Sequence, residues 1–339
     1  MRARPVLINI LLMATSIALV CGGVELFLQH RAARAKMKQS WGATSEPDPS
    51  YGFRLKRNYT CHDICTRNGE IIYGATYHTN AQGRRITPVS KPENRHRFLA
   101  LFGCSVTFGL GINDEQTLGA CLGRRAPDYM PYNFACQGYG TQQVLLTLQD
   151  PLEREIRQKQ GIGIYVFFSG HINRVIGGMF MTVYWGAGFP NYEIQGDQLV
   201  RTGSFESVHP WRLALHRFLA KSETVKYVIN HWPGTYSQND YRLTARIIQE
   251  AARTFRQKFL DSPFYVMFFP DQGTIACADE MMRRLDQFGV PYLYFPDVLD
   301  SLTPEARTVD GWHPSQAANE LMAERLTREL DCLRIDSGT

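Results

Sequence analysis

Three side chains in this 339-residue sequence have the types and settings that acyl-transfer chemistry needs. Ser105 stands in Phe102-Gly103-Cys104-Ser105-Val106-Thr107-Phe108-Gly109, just past the apolar run 98–102. A hydroxyl flanked by glycines, where a buried run ends, meets solvent and ligand and is a candidate nucleophile. Near the C-terminus stands Asp310-Gly311-Trp312-His313-Pro314. An Asp-x-x-His turn can aim both side chains at one spot, the carboxylate holding Nδ1–H while Nε2 faces the nucleophile. The same residues also suit a plain turn cap, with His313 exposed at a helix start.

Two more segments offer donors to a developing oxyanion. In Asn133-Phe134-Ala135-Cys136-Gln137-Gly138-Tyr139-Gly140-Thr141-Gln142, glycines let backbone N–H groups approach a ligand closely. A tight strand-to-helix turn with Thr141 as N-cap accounts for the segment equally well. Ser169-Gly170-His171-Ile172-Asn173-Arg174 carries two side-chain donors, His171 and Asn173. Arg174 suits either an acidic group on a substrate or a structural salt bridge.

Positioning these groups requires a sheet whose strands end where they stand. Strand candidates are 98–104, 131–137, 162–169, 263–270 and 291–297, and helical stretches are 114–125, 141–157, 239–260, 276–288 and 315–330. Continuous apolar strands alternating with amphipathic helices imply a parallel sheet covered on both faces. The interval 171–238 breaks the alternation with a hairpin at 191–200 and a helix at 211–219, and is expected to be a lid-like insertion. Its aromatics (Tyr184, Trp185, Tyr192, Trp211, Trp232) could stack on sugars, line an acyl pocket or simply pack. Upstream, 39–50 reads as a stiff polar linker. A small β-rich element follows to residue 95, with strand-like 70–73 and 75–78 and a turn at Asn80-Ala81-Gln82-Gly83.

Residues 5–28 are apolar over a length that crosses a bilayer, with Glu25 near one interface. We read 1–38 as a membrane anchor with basic flanks. A cleavable signal peptide and a lipid-modified Cys21 are the rival readings. The net charge of +5 belongs to this region. Residues 1–40 hold six Lys or Arg and one acid, leaving 31 of each sign in the rest. No basic stripe suggests a nucleic-acid partner. Basic residues after the apolar run favour a cytoplasmic C-terminal side, but large domains translocate despite such small differences. An extracytoplasmic catalytic domain is the expectation, with the side left open. Cys61 and Cys65 suit a small disulfide, a weak metal pattern with His62, or free thiols. Cys104, Cys121, Cys136 and Cys277 read as small buried hydrophobes.

Taken together, the four blocks resemble the SGNH (GDSL-type) hydrolase superfamily, in family order, over about residues 97–330. The resemblance implies a three-layer, flavodoxin-like α/β fold with about five parallel strands, here assigned to 96–332. It implies Ser105 as nucleophile, His313 as general base and Asp310 as its orienting acid. The Ser105 and Gly138 N–H groups, with His171 or Asn173, would form the oxyanion hole. Two departures stand out: Cys104 replaces the acid usual before the serine, and His171 follows Gly170 where the family has asparagine. The implied activity is ester hydrolysis through an acyl-enzyme on a small molecule, lipid or polysaccharide, with no metal or organic cofactor required. Rival readings are an O-acetyltransferase acting on envelope polysaccharide, a catalytically degenerate binding module on the same fold, and a flavodoxin-like nucleotide binder. The last fits poorly, because 103–109 lacks phosphate-loop spacing.

Overall fold

A computed structural model describes residues 3–34, 37–39, 44–231 and 235–336. Trp232 and positions 40–43 of the expected linker therefore lie outside the described residues. The chain begins with helix α1 (Ala3–Arg34), followed by short strands β1 (Met37–Lys38), β2 (Ser45–Asp48) and β3 (Gly52–Leu55). Part of the expected linker is thus strand, because β2 pairs antiparallel with β3. Asp48 makes the turn by accepting the N–H groups of Ser50 and Tyr51.

Strands β4 (Thr60–Arg67) and β5 (Glu70–His78) form a hairpin, and β1 pairs with the outer edge of β4. The two strand fragments expected at 70–78 are one strand, and its partner lies upstream of it. The turn is Asn68-Gly69, both at positive φ (55° and 90°), the geometry that a two-residue hairpin loop needs. In β4 the alternation turns Cys61, Asp63 and Cys65 inward and His62 outward. Cys61 and Cys65 are free thiols. Two inward residues four apart on one strand stand roughly 13 Å apart, too far to bridge. The same alternation separates His62 from both thiols.

The main sheet then starts with β6 (Arg97–Phe102), a single helical turn α2 (Ser105–Phe108) and α3 (Leu118–Arg125). Next come β7 (Tyr129–Asn133), α4 (Thr141–Gln149), β8 (Gln160–Phe167) and α5 (Gly170–Val175). The insertion contributes α6 (Met179–Tyr184), the hairpin β9 (Pro190–Gln195) and β10 (Gln198–Ser204), then α7 (Phe205–Val208), α8 (Pro210–Leu219) and α9 (Glu223–His231). The chain closes with α10 (Gln238–Lys258), β11 (Phe264–Phe268), α11 (Gln272–Gln287), β12 (Tyr292–Tyr294), α12 (Pro304–Arg307) and α13 (Gln316–Asp336).

The five main strands run parallel in the order β12-β11-β8-β6-β7, the flavodoxin-like arrangement. Alternate residues of β6 supply two cores. Phe98, Ala100 and Phe102 pack with α4, α10 and α11, whereas Leu99 and Leu101 pack with α3 and α13. Burying each large side chain here contributes about 1.5–3 kcal/mol. A third core joins the β4–β5 hairpin (Tyr73, Ala75, Tyr77) to Phe108, Ala135 and Tyr139 beyond the carboxyl ends of β6 and β7. The five strands all end two to four residues before their apolar pattern predicts, and β7 and α4 fall furthest short. The ladder of β7 ends when Asn133 Oδ1 takes the Ala135 N–H, and α4 ends at Gln149 because Pro151 restricts Asp150.

Candidate active site

Strand order reverses between β6 and β8, and in open parallel sheets the crevice past such strands is where ligands bind. Ser105 stands there. Gly103, at φ 152°, makes the turn out of β6, where a Cβ would meet Thr107 Oγ1 at 2.3 Å. Ser105 opens α2, and its carbonyl accepts the N–H groups of both Gly109 and Leu110 at 3.0 Å. The residue is buried but keeps a small window to solvent, 8% exposed.

His313 reaches Ser105 from the far end of the chain. Its loop is pinched by the Thr308–Pro314 bridge and by Val309 N–H donating to the His313 carbonyl. Within it, Asp310 Oδ1 accepts the backbone N–H groups of Trp312 (2.9 Å) and His313 (2.8 Å). Asp310 Oδ2 lies 2.7 Å from His313 Nδ1, and His313 Nε2 lies 3.0 Å from Ser105 Oγ. A carboxylate only accepts, so Nδ1 carries the hydrogen, and a neutral ring then offers the Nε2 lone pair to the Ser105 hydroxyl. Burial works to raise the Asp310 carboxyl, but the His313 ring and the two backbone donors outweigh it and hold it below its ordinary value. Of the donors expected to serve an oxyanion, none hydrogen-bonds to this trio among the described residues. The acid-x-x-His-Pro spacing recurs at Glu206–Pro210, yet no hydrogen bond joins the Glu206 carboxylate to the His209 ring there.

The hairpin braces both loops. Gly111 N–H donates to Tyr77 Oη at 2.8 Å, and that hydroxyl donates to buried Asp63 at 2.8 Å. Gly111 (φ 83°) lies so close to Val309 that a Cβ would meet its methyl at 2.6 Å, so the Ser105 and His313 loops touch at this point. Arg85, with no side-chain exposure, donates to the carbonyls of Phe108, Gly109 and Ile112 and to the Asp114 carboxylate at 2.9 Å. The His78 ring holds the other Asp114 oxygen at 2.6 Å. Asn133 Nδ2 donates to the Thr107 carbonyl at 3.0 Å, tying the end of β7 to α2. Sequence reasoning missed Arg85, Asp114 and Tyr77. A polar side chain that sits inward looks the same on paper as one that faces water.

The remaining blocks pack on each other. Arg174 donates to the Tyr139 carbonyl and lies over the Phe168 ring, while Gln142 Nε2 donates to the Arg174 carbonyl at 2.8 Å. Arg174 thus serves as a tie between blocks and forms no salt bridge among the described residues. Trp185, from the insertion, donates its indole N–H to the Gly138 carbonyl at 3.2 Å. Tyr192 belongs to the main core. Asn173 is half-buried and its carboxamide rests against Gly178. His171 is fully buried and stacks on Tyr165, whose hydroxyl lies 2.7 Å from Nδ1 and 2.9 Å from Thr141 Oγ1. The Phe168 N–H also points at Nδ1, from 3.5 Å. Since the Phe168 N–H can only donate, Nδ1 accepts, Tyr165 Oη then donates to it too, and the ring hydrogen falls on Nε2, which has no hydrogen-bond partner. Burial holds this imidazole well below the ordinary histidine range, hence neutral. Among the described residues no cluster of His, Cys, Asp and Glu has the grouping of a metal site.

No protein-family model and no curated protein matches this chain. Solved structures similar in fold include TesA, at 14% identity and TM-score 0.41, covering 70% of this chain and 99% of that one. A member of the lipolytic protein G-D-S-L family from Veillonella parvula matches at 8% and 0.40, covering 68% and 97%. A family two carbohydrate esterase from Clostridium thermocellum, solved with cellohexaose, matches at 11% and 0.41, covering 81% and 80%. Likeness this distant transfers no activity.

Proposed function

We propose that this protein is an SGNH-type serine esterase that cleaves a carboxylic ester through an acyl-enzyme. The observation that carries this reading is the continuous hydrogen-bond line from Ser105 Oγ through the His313 ring to Asp310, at 3.0 and 2.7 Å. As Ser105 Oγ attacks the ester carbonyl, its proton passes to His313 Nε2. The tetrahedral intermediate collapses, and the leaving alcohol takes that proton. A water molecule then attacks the acyl-Ser105 bond, giving up a proton to His313, and the carboxylic acid departs as Ser105 is reprotonated.

The developing oxyanion is held by the Ser105 and Gly138 N–H groups and by His171. A buried donor without a partner costs about 1–3 kcal/mol, and such groups recur where a reacting atom is to be bound. His171 Nε2–H is such a donor, on a neutral ring whose tautomer Tyr165 sets. The asparagine two residues on is turned onto Gly178 instead. Losing one oxyanion donor typically costs about 3 kcal/mol of transition-state stabilisation.

Helix α1 carries one apolar span, Ile8–Arg34, with a mean hydropathy of 2.1 in its most apolar window, long enough to cross a bilayer. Length and composition alone also suit a secretion signal. The reading adopted is an anchor that keeps the esterase at the membrane, its ester borne by a small molecule, a lipid or a polysaccharide. The test is labelling with a fluorophosphonate: Ser105 becomes covalently modified, and Ser105→Ala loses both the label and the hydrolysis of aryl acetates. No label on a folded wild-type chain overturns the assignment. Product analysis with a sugar acceptor present separates hydrolysis from acetyl transfer.

A further inference from the structure

Helix α8 wears its pattern inside out. Leu213 is its one buried residue, whereas Trp211, Leu215 and Phe218 fall within one narrow stripe and are 87%, 53% and 67% exposed. Residues spaced by four and then three lie on one face of a helix, so the outer surface of α8 is its apolar face. Its neighbours extend that surface. Helix α6 packs on α8, with Thr182 Oγ1 2.9 Å from His216 Nδ1, and exposes Phe180 and Tyr184. Helix α9 follows directly and exposes Val228. Arg217, about 100° round the helix from Phe218, and Lys221, just past the end of α8, are exposed, and no carboxylate pairs with either of them among the described residues. Apolar patches of this kind, flanked by unpaired cations, mark contact surfaces.

The occupant is indicated by α1. Glu25, the one acid in that helix, is taken up by the N-terminus of α9. Its carboxylate accepts the N–H groups of Glu223 and Thr224 at 2.8 and 2.9 Å, and the hydroxyls of Ser222 and Thr224 at 2.8 and 2.7 Å. These four donors from the start of α9, two of them backbone groups, join the Gln29 amide at 3.0 Å on the same carboxylate and fix α1 against the helix group that bears the apolar face. The 20 or so residues before Glu25 cover about 30 Å as helix, the thickness of a bilayer core. Glu25, and the helices docked on it, therefore come to the boundary where that core ends.

We infer that the outer face of α8, with its neighbours α6 and α9, lies in the headgroup region of an anionic lipid bilayer. Trp211, Leu215 and Phe218 enter the acyl boundary while Arg217 and Lys221 meet lipid phosphates. This rests on reading α1 as a span, and does not depend on the esterase assignment. The test uses the full chain reconstituted in vesicles of phosphatidylcholine and phosphatidylglycerol with brominated acyl chains. Trp211 emission is read as the difference between wild type and Trp211→Phe. The expected result is a blue shift, quenching by the brominated lipid and shielding from aqueous iodide. Arg217→Glu with Lys221→Glu should reduce the quenching in anionic vesicles and leave it unchanged in purely zwitterionic ones. Flotation with the vesicles reads α1 separately. A chain that floats while Trp211 stays open to iodide overturns the inference and spares the anchor. A chain that does not float overturns both. Trp211 shielded from iodide and from brominated lipid alike would mean that a protein covers the face, a second copy included, and would also overturn it.

Discussion

Asp310→Asn replaces one acceptor oxygen by a donor amide of nearly the same shape, which makes it a sharp probe of the proposed triad. Asp310 accepts three N–H groups, two from the backbone on Oδ1 and the His313 ring on Oδ2. An asparagine has a single oxygen. Left against the two backbone donors, it turns its NH₂ toward Nδ1, which must then accept, and the ring hydrogen moves to Nε2. The nitrogen 3.0 Å from Ser105 Oγ becomes a donor and can no longer take the serine proton. The flipped amide would set NH₂ against two N–H groups, which is worse. The tautomer error in a serine triad costs about 10⁴ in kcat, or about 5.5 kcal/mol of barrier. Aryl-ester turnover should fall by that order with KM little changed, since the ground-state pocket is untouched, and slow labelling of Ser105 should persist. Stability carries a second signature. The carboxyl is depressed in the fold, so what Asp310 adds is complete above the ordinary carboxylate pKa of about 3.9 and is lost as pH falls through its lower folded value. The wild-type and Asp310→Asn stability curves should therefore meet only in acid. A loss of turnover under tenfold in a folded variant would refute the triad.

Other substitutions probe the frame around the triad. Arg85→Met leaves the Asp114 carboxylate short of its main partner and takes the guanidinium donors from three carbonyls. It should cost about 3–5 kcal/mol in urea unfolding and slow Ser105 labelling by loosening residues 108–112. His171→Phe should fit among Tyr165, Phe167 and Phe168, and lower kcat by about 10²–10³ if Nε2–H serves the oxyanion. The same variant bears on pH. Buried His171 refuses a proton that the unfolded chain accepts below about pH 6.5, so wild-type stability falls as pH drops, by up to about 1.4 kcal/mol per unit for this group. His171→Phe should remove that portion of the slope, as read by urea titrations at several pH values.

How far the sequence could be read depended on whether a feature is made by neighbours in the chain. The parallel sheet was legible because strands buried on both faces leave unbroken apolar runs such as 98–102. The Asp310–His313 turn was legible because three residues suffice to make it. The turn read at Asn80–Gly83 is present, with the Gly83 N–H on the Asn80 carbonyl at 3.0 Å, but the hairpin was misread because the one large apolar residue of its first strand, Ile64, faces outward and because its closing turn, Asn68-Gly69, was passed over. Arg85 was invisible for a different reason. Its burial depends on carbonyls that converge only when α2 has turned back beneath the hairpin. The choice between His171 and Asn173 likewise depends on Tyr165, whose hydroxyl reaches His171 only once β8 and α5 are packed.

Among the described residues, helix α1 is held to the rest of the molecule at two places. One is the Glu25 carboxylate on α9, and the other is β1, which begins three residues past Arg34 and pairs with the hairpin that braces the Ser105 loop. Three residues reach at most roughly 11 Å. A protein tethered by a long flexible linker samples a hemisphere above its anchor. Were α1 to span a bilayer, these two contacts would hold the serine at a set height and tilt above it. If α1 spans a bilayer, encounter with substrate becomes a search over a plane. The rate then follows the ester's density per unit area of membrane, and dilution in bulk solution should leave turnover of a membrane-borne ester unchanged.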